Sequence, residues 1–181
     1  MKKFKTSRES RVSITELMLP QHSNFGGKVH GGYILSLMDQ IAFACASKHS
    51  QTYCVTASVN RVDFLNPIDV GELVTLKASI NYTGRTSMVV GVRVEAESVT
   101  SGKKRHCNSS YFTMVAKDKK GKNAAVPGLL LKNKEELRRF ARSIERKMAV
   151  YKRDTKFHSN NFKVNEYLEF LDGENVKLDL D

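Results

Sequence analysis

The sequence has few cysteines and no long apolar run. Its three cysteines, Cys45, Cys54 and Cys107, form an odd set without CxxC spacing. This usage argues against a disulfide framework or a zinc site and favours a reducing, cytoplasmic setting. No apolar run approaches the ~20 residues that span a bilayer, and the basic start MKKFKTSRES has no apolar segment behind it. We therefore expect neither a membrane span nor a secretory signal.

Acidic residues are scarce relative to basic ones, which leaves a formal net charge of +11 over 181 residues. The basic residues concentrate in the range 117–153, and an acidic tail follows over 165–181. Such a charge favours anionic partners, whether nucleic acid, an acidic membrane surface or a phosphorylated small molecule. Hydrophobic residues make up 40% of the chain and charged residues 27%, which is typical of a globular protein rather than a disordered one.

The hydrophobic pattern predicts one strand, one long helix and then four more strands. Residues 11–19 are predicted as the first strand, and residues 31–48 as a helix that is apolar round most of its circumference. The four later strands are separated by short turns and cover 53–65, 72–82, 87–99 and 106–117. Strands in direct succession pair antiparallel. A curved sheet wrapped around the helix is the economical way to bury it, and a change of phase near Asn60 predicts a bulge.

The composition changes after residue 126. We expect residues 1–125 to form one α+β domain and residues 126–181 to form a C-terminal extension. Within the extension, residues 133–150 are predicted as a basic helix and residues 166–171 as a short helix before the acidic tail. The predicted fold class is therefore α+β, with a curved antiparallel sheet around one long central helix and a basic C-terminal helical extension.

The segment NFGGKVHGGYILSLMD places a glycine-rich loop before the helix and a carboxylate inside it. The first amides of a helix lack intrahelical partners and lie at the positive end of the dipole, so they can hold a developing oxyanion. Asp39 lies at the edge of the apolar surface, where it could act as a general base or a nucleophile. A solvated aspartate on a helix border has the same pattern. Asn24 could position water or polarise a carbonyl, or merely form a turn.

The spacing within this segment limits how its groups can cooperate. Asp39 is eight residues beyond Gly31, or about 12 Å along a helix that rises ~1.5 Å per residue. The free amides of the helix therefore cannot reach a carbonyl that sits at their own Asp39. If both act on one substrate, they come from different copies, and two helices lying antiparallel across a two-fold axis would bring them together. This geometry predicts a dimer with two equivalent sites.

Residues 82–88, YTGRTSM, are predicted to form a hairpin tip that presents the Arg85 cation beside the hydroxyls of Thr86 and Ser87. These groups suit a phosphate, although a solvated turn arginine has the same pattern. The run KKR at 103–105 could form a second basic tip. No histidine or second carboxylate near the glycine loop stands at metal-ligand spacing, so we expect no metal site.

Over roughly residues 8–120 the sequence resembles the acyl-CoA hydrolase branch of the hot-dog thioesterases. The resemblance rests on three stretches, which are NFGGKVHGGYILSLMD at 24–39, VDFLNPIDVGE at 62–72 and YTGRTSM at 82–88. The first stretch is the most specific, because the asparagine, the paired glycines and the helix aspartate occur together. The other two agree with it in order and spacing.

The resemblance implies a hot-dog fold and catalysis by Asn24 and Asp39 from opposing subunits. It implies that backbone amides near Gly31 and Gly32 lie at the thioester carbonyl. Coenzyme A would lie along the subunit interface, with its phosphates near Arg85 and the adjacent hydroxyls. The implied assembly is a homodimer or a trimer of dimers, which makes a hexamer, and no metal or redox cofactor is implied.

We therefore expect an acyl-CoA thioesterase that hydrolyses acyl-CoA to a free fatty acid and coenzyme A in the cytoplasm. Two alternatives stay open. One is a hot-dog enoyl-CoA hydratase or dehydratase, although the H-F-P-G type of loop expected there is absent. The other is a non-catalytic acyl-CoA-binding regulator that contacts nucleic acid through its basic segment. No helix-turn-helix pattern precedes the core, so nucleic acid is not the expected partner.

Overall fold

The computed structural model describes residues 3–158, 160–168 and 175–177. The chain divides into two compact units, Met1–Ser143 and Ile144–Asp181. The sheet and the long helix predicted for residues 1–125 lie in the first unit, and the division into 1–125 and 126–181 stays a prediction. None of the described helices is both long enough and apolar enough to cross a membrane.

A six-stranded antiparallel sheet forms most of the first unit. Its path runs through β2 (Val12–Leu17), β5 (Glu72–Thr83), β6 (Ser87–Ser98), β7 (Lys104–Lys117) and β3 (Tyr53–Val59), and the short β4 (Asp63–Phe64) also pairs with β7. Every neighbouring pair in this sheet is antiparallel, as the short turns between successive strands require. β2 and β3 lie at the two ends of the path.

One long helix, α2 (Gly31–Ser50), lies against the inner face of this sheet. It contacts β2, β3, β5, β6 and β7, so the sheet curls around it as the sequence predicts. The buried apolar residues of the helix are Ile34, Leu37, Met38, Ile41, Ala42, Cys45 and Ala46. They meet alternate residues of the strands, such as Leu76, Val92 and Phe112. Each large aliphatic side chain buried here contributes roughly 1.5–3 kcal/mol.

The sheet leaves one side of α2 uncovered. The exposed residues Gly32, Ser36, Gln40 and Phe43 recur every three or four positions, and this spacing places them in one row along the helix. We call this row the open stripe. Of its four residues only Phe43 is large and apolar, and it is 39% exposed.

The strand predicted over 53–65 is wrong as a single element. β3 ends at Val59, and pairing resumes only at the two residues of β4. The register shift lies between Thr56 and Ser58, earlier than the predicted position near Asn60. The displaced bulge has a simple cause. β3 is an edge strand, so its exposed apolar residue Val59 does not mark the inner face and the alternation is misleading there.

Two short strands escape the alternation pattern, because three residues carry too little periodicity to predict. β1 (Phe4–Thr6) pairs in parallel with β8 (Gly128–Leu130), and the short α1 (Ser7–Ser10) follows β1 directly. The Phe4 side chain approaches Gly128 closely at this pairing. A Cβ on Gly128 would lie 2.6 Å from the Phe4 ring, so a larger residue there would have to displace this exposed ring.

The predicted basic helix exists as α3 (Lys134–Lys156), which extends beyond the predicted end at residue 150. A single 3₁₀ turn covers Val164–Glu166, and residues 169–171 of the predicted short helix lie outside the described residues. In the second unit the Phe162 ring stacks on those of Phe157 and Tyr167, which are tilted to each other, and the ring centroids lie between 4.9 and 6.0 Å apart.

Candidate active site

Asn24 lies in a tight turn that fixes its side chain. Its Oδ1 accepts the backbone N–H groups of Gly26 at 2.9 Å and Lys28 at 3.2 Å. Gly27 completes the turn with a φ of 74°, a conformation that glycine adopts without strain. Because both backbone groups are donors, the side-chain oxygen of Asn24 faces the turn, and the Nδ2 group is left to donate to a ligand. None of the described residues accepts a hydrogen bond from that Nδ2, and Asn24 is exposed.

The two glycine amides at the start of α2 differ in whether they have a hydrogen-bond acceptor. His30 is the N-cap, and its Nδ1 accepts the Gly32 N–H at 2.9 Å. No described residue accepts the Gly31 N–H. Since a backbone amide donates to Nδ1, the neutral His30 ring holds its proton on Nε2. The sequence predicts both amides as oxyanion donors, whereas the geometry leaves Gly31 available and places Gly32 on the cap.

A side chain at either glycine would crowd a neighbouring ring. A Cβ on Gly32 would lie 2.9 Å from two atoms of the His30 ring, and a Cβ on Gly31 would lie 3.1 Å from the Phe64 ring. Phe64 itself is 56% exposed. A small residue at each position therefore keeps the cap intact and leaves the Gly31 amide beside an exposed aromatic ring.

Asp39 is half-buried on α2, next to the open stripe. The Thr56 hydroxyl donates to Oδ1 of Asp39 at 2.6 Å, and the Thr56 hydroxyl oxygen also lies 3.4 Å from the Met114 sulfur. No described residue donates to Oδ2 of Asp39. The carboxylate is thus oriented through one oxygen, and the other can accept a proton or attack. Thr56 could not be predicted from the sequence, because a threonine in a strand carries no local signal of such a contact.

One chain keeps its two reactive groups apart. Asp39 lies eight residues after Gly31 on a continuous helix, so the carboxylate and the free amide are about 12 Å apart along the axis. The Asn24 turn lies at the Gly31 end of α2. His22 comes just before the turn, and its carbonyl oxygen accepts the N–H of His30, the residue before Gly31, at 2.8 Å. The structure therefore brings Asn24 and Gly31 to one end of α2 and leaves Asp39 and Thr56 farther along.

Arg85, Thr86 and Ser87 lie at the tip of the β5–β6 hairpin, as predicted. Two backbone amides from elsewhere in the chain hold this tip. Val126 N–H donates to the Arg85 carbonyl oxygen and Ala116 N–H to that of Thr86, each at 3.0 Å. Arg85 is exposed, and no carboxylate of the described ranges pairs with it. The cation is thus presented on a fixed turn.

Tyr33, near the start of α2, is engaged inside the chain. Its hydroxyl donates to the Glu16 carboxylate, and this hydrogen bond, with burial and the negative charge of Glu16, raises the pKa of Tyr33. The ring stacks on His22 with centroids 4.0 Å apart. This contact ties the helix start to β2 and to the segment that enters the Asn24 turn.

Comparison with known proteins gives one family. A family model described as the thioesterase superfamily matches residues 26–103. The protein VdlD of Helicobacter pylori is 39% identical over 142 residues, which cover 78% of this chain and 81% of that protein. The uncharacterized acyl-CoA thioester hydrolase YkhA of Bacillus subtilis is 33% identical over 152 residues, which cover 84% of this chain and 87% of YkhA.

Solved structures show the same similarity. An apo-hexameric acyl-CoA thioesterase superposes with a TM-score of 0.81 at 36% identity, covering 83% of this chain and 97% of that one. The acyl-CoA hydrolase of Staphylococcus aureus, solved with butyryl coenzyme A and coenzyme A, has a TM-score of 0.78 at 30% identity, covering 93% of this chain and 99% of its own.

The Staphylococcus aureus enzyme has also been solved with an asparagine, an aspartate or a threonine replaced by alanine. In that protein the asparagine precedes the aspartate by 15 residues and the threonine follows it by 17. Asn24, Asp39 and Thr56 have the same separations here. Together with the curled sheet around α2, these matches show that the chain belongs to the acyl-CoA hydrolase family of hot-dog thioesterases.

Proposed function

We propose that this chain hydrolyses acyl-CoA to a free fatty acid and coenzyme A, in a site shared by two copies of the chain. The observation that carries the proposal is the Asp39 carboxylate, which Thr56 orients at 2.6 Å beside the open stripe of α2. Its second oxygen receives no hydrogen bond from the described residues, so it is free to act on a bound thioester or on water.

A second copy supplies the groups that one chain keeps apart. Phe43 on α2 is 39% exposed, and Tyr53 and Val59 on the edge strand β3 are 63% and 42% exposed. An edge strand with unpaired backbone groups and apolar neighbours favours packing against another chain. Two α2 helices antiparallel across a two-fold axis would place Gly31 of one copy beside Asp39 of the other. The assembly that we propose is a homodimer or a trimer of dimers.

In the proposed reaction the Gly31 N–H of one copy donates to the thioester carbonyl oxygen and stabilises the negative charge that develops there. Gly32 contributes by holding the His30 cap, so that the Gly31 amide stays aimed at the substrate. Asn24 donates through Nδ2 to the thioester or to the attacking water, because its Oδ1 is already used by the turn.

Asp39 of the other copy has two chemical routes. As a general base it takes a proton from water, whose oxygen adds to the carbonyl carbon. The carbon–sulfur bond then breaks, and coenzyme A leaves as a thiolate that takes up the proton. As a nucleophile the carboxylate itself displaces the thiolate to give an anhydride, which water hydrolyses. Both routes use the same oriented carboxylate.

The tip residues Arg85, Thr86 and Ser87 are the proposed contact for the phosphates of coenzyme A. An exposed guanidinium on a fixed turn offers several donors in a geometry that matches phosphate. Because the backbone of the tip is held by Val126 and Ala116, little order is lost when the ligand binds.

Asp39 can itself take the proton from water or attack the thioester, so the proposed chemistry requires no metal or redox cofactor. Among the described residues, no group of three or more histidine, cysteine, aspartate or glutamate side chains could hold a metal ion. We propose a cytoplasmic setting, which is supported by three cysteines that are all free and buried.

The test is a panel of acyl-CoA substrates from acetyl to palmitoyl, with the released thiol measured for the parent and for Asp39→Ala. We expect the parent to release coenzyme A and the variant to lose at least about 10²-fold in kcat, the usual contribution of a general base. Thr56→Val, which keeps the shape but removes the hydroxyl, should lose less. The control is Asp154→Ala, an exposed helix carboxylate, which should keep the parental rate.

Far-UV circular dichroism of each variant checks that the fold is intact. Hydrolysis by Asp39→Ala at the parental rate would show that the carboxylate is not the reacting group. A parent that releases no coenzyme A from any substrate of the panel would overturn the proposed function itself.

A further inference from the structure

The segment VDFLNPIDVGE at 62–72 has no part in the reaction described so far, yet its end contacts the Asn24 turn. The Val29 N–H donates to the Ile68 carbonyl oxygen at 2.9 Å, and Lys28 and Asp69 form an antiparallel bridge. The Lys28 ammonium also donates to the Asp69 carboxylate. The turn that presents Asn24 therefore rests on residues 68 and 69.

Arg105 on β7 holds that segment to the sheet. Its Nη1 and Nη2 donate to Glu72 Oε1 and Oε2 at 2.5 and 2.7 Å, and Nη2 also donates to the Pro67 carbonyl oxygen at 2.7 Å. The same nitrogen lies 3.5 Å from Asp69. The planar guanidinium, with several donors in a fixed arrangement, meets these acceptors at once, which the single ammonium of a lysine cannot do.

Electrostatics keep this set of groups charged. The hydrogen bond from Lys28 is the main cause that lowers the pKa of Asp69, burial opposes it, and the positive charges of Lys28 and Arg105 lower the pKa further. The hydrogen bond with Glu72 raises the pKa of Arg105. A continuous chain of opposite charges thus runs from the sheet through the 67–72 segment to the Asn24 turn.

We infer that Arg105 and Asp69 are positioning residues for Asn24. Arg105 fixes the 67–72 segment, Asp69 holds Lys28, and the turn closed by Lys28 aims the Nδ2 group of Asn24 into the shared site. This inference rests on the proposed function, because it needs a reaction in which Asn24 takes part.

The exposure of the Lys28–Asp69 ion pair distinguishes a role in positioning Asn24 from a role in stabilising the fold. The side chains of Lys28 and Asp69 are 48% and 46% exposed, and ion pairs with that exposure add only about 0–1 kcal/mol to stability. Misplacing a reacting group by about 1 Å can cost up to about 10²-fold in rate. Loss of the ion pair should therefore appear in kcat rather than in the free energy of unfolding.

The first experiment compares Arg105→Lys and Asp69→Asn with the parent on its best acyl-CoA substrate. We expect kcat to fall about tenfold or more, while KM changes little. Matched controls are Arg93→Lys and Glu95→Gln on the sheet, where Arg93 Nε donates to Glu95 Oε1 at 2.8 Å. These controls alter the same kinds of group away from the Asn24 turn and should leave kcat at the parental value.

The second experiment is a double-mutant cycle with Asn24→Ala. If Arg105 acts through Asn24, Arg105→Lys causes no further loss of kcat once the Asn24 side chain is gone. An equal loss in both backgrounds would overturn the inference, because the arginine would then act independently. Asp69→Asn, a half-exposed site, provides the same cycle if Arg105→Lys does not fold.

The two proposals can fail separately. A parent enzyme that is inactive, or an Asn24→Ala variant at the parental rate, overturns the assignment of Asn24 and the inference that rests on it. An active parent that is impaired by Asn24→Ala but unaffected by both Arg105→Lys and Asp69→Asn overturns the positioning role alone.

Discussion

The two ends of α2 differ in how their backbone groups are satisfied. At the N-terminal end the Gly31 N–H has no acceptor among the described residues, and the neighbouring His30 is exposed. At the C-terminal end the buried Lys5 ammonium donates to the carbonyl oxygens of Lys48 and His49, at 3.2 and 2.7 Å. A cation there also interacts favourably with the negative end of the helix dipole.

His49 completes the C-terminal end from inside the core. It is fully buried, its Nδ1 lies 2.8 Å from the Ser10 hydroxyl, and its Nε2 lies 3.1 Å from the Pro127 carbonyl oxygen. Because a carbonyl only accepts, Nε2 carries the proton and Nδ1 accepts from Ser10. The two ends of α2 therefore have different roles. The end with satisfied groups stabilises the fold, and the open end is available for chemistry.

His49→Ala should reduce the stability of the C-terminal end most strongly. The variant leaves a cavity and removes the buried partner of Ser10, which together should lower the free energy of unfolding by about 3 kcal/mol. Urea denaturation at fixed protein concentration measures it. The value of kcat at 25 °C should not change. Lys48→Ala, an exposed change in the same turn, is the control and should stay within about 0.5 kcal/mol.

Gly32→Ala at the N-terminal end of α2 should instead lower kcat and leave the stability nearly unchanged. The new Cβ displaces the His30 ring that caps the helix, so the Gly31 amide moves and kcat should fall about tenfold or more. Stability should change by less than about 1 kcal/mol, because alanine favours the helix while the cap is weakened. Ser36→Ala, one turn later on the open stripe, is the control. A loss of stability as large as that of His49→Ala would remove the distinction between the two ends.

The smallest effect is the pH dependence of the C-terminal end. Burial lowers the pKa of His49 below 6.5, and Lys5 lowers it further, while the Pro127 hydrogen bond and the charge of Glu9 raise it. The unfolded chain then binds a proton near pH 6.5 that the folded chain does not. Stability should therefore fall as the pH drops below about 6.5, by at most ~1.4 kcal/mol per pH unit.

Urea denaturation of the parent and of His49→Ala at pH 7.5, 6.5 and 5.5 measures this contribution. The parent should lose more stability than the variant over this range, because the variant lacks the buried imidazole. Parallel curves for the two proteins would show that other groups account for the acid sensitivity.

The helix and the central strands were predictable because their apolar residues repeat over many positions. The pattern of β5 and β6 continues for twelve residues each, which is long enough to define an inner face. The start of the edge strand β3 was predicted correctly but its end at Val59 was not, since its outer face also carries apolar residues. The candidate residues Asn24 and Asp39 could be proposed because they accompany paired glycines at a helix start.

Other parts of the site depend on contacts between distant residues and have no local signal. Thr56 reaches Asp39 only because β3 passes α2 at that point. The different states of Gly31 and Gly32 depend on the orientation of the His30 ring. Arg105 lies in a run that the sequence predicts as a possible second basic tip, and its acceptors are 33 and 38 residues away in the chain.

The burial of the cysteines has a practical consequence. Cys45, Cys54 and Cys107 are at most 1% exposed, and burial raises the pKa of Cys45 to about 12. A thiol must be accessible and ionised to attack a chromogenic disulfide reagent. In the native protein such a reagent should therefore react with the thiol of released coenzyme A and not with the enzyme. In urea it should react with the three cysteine thiols that unfolding exposes. One dye can thus follow both turnover and denaturation.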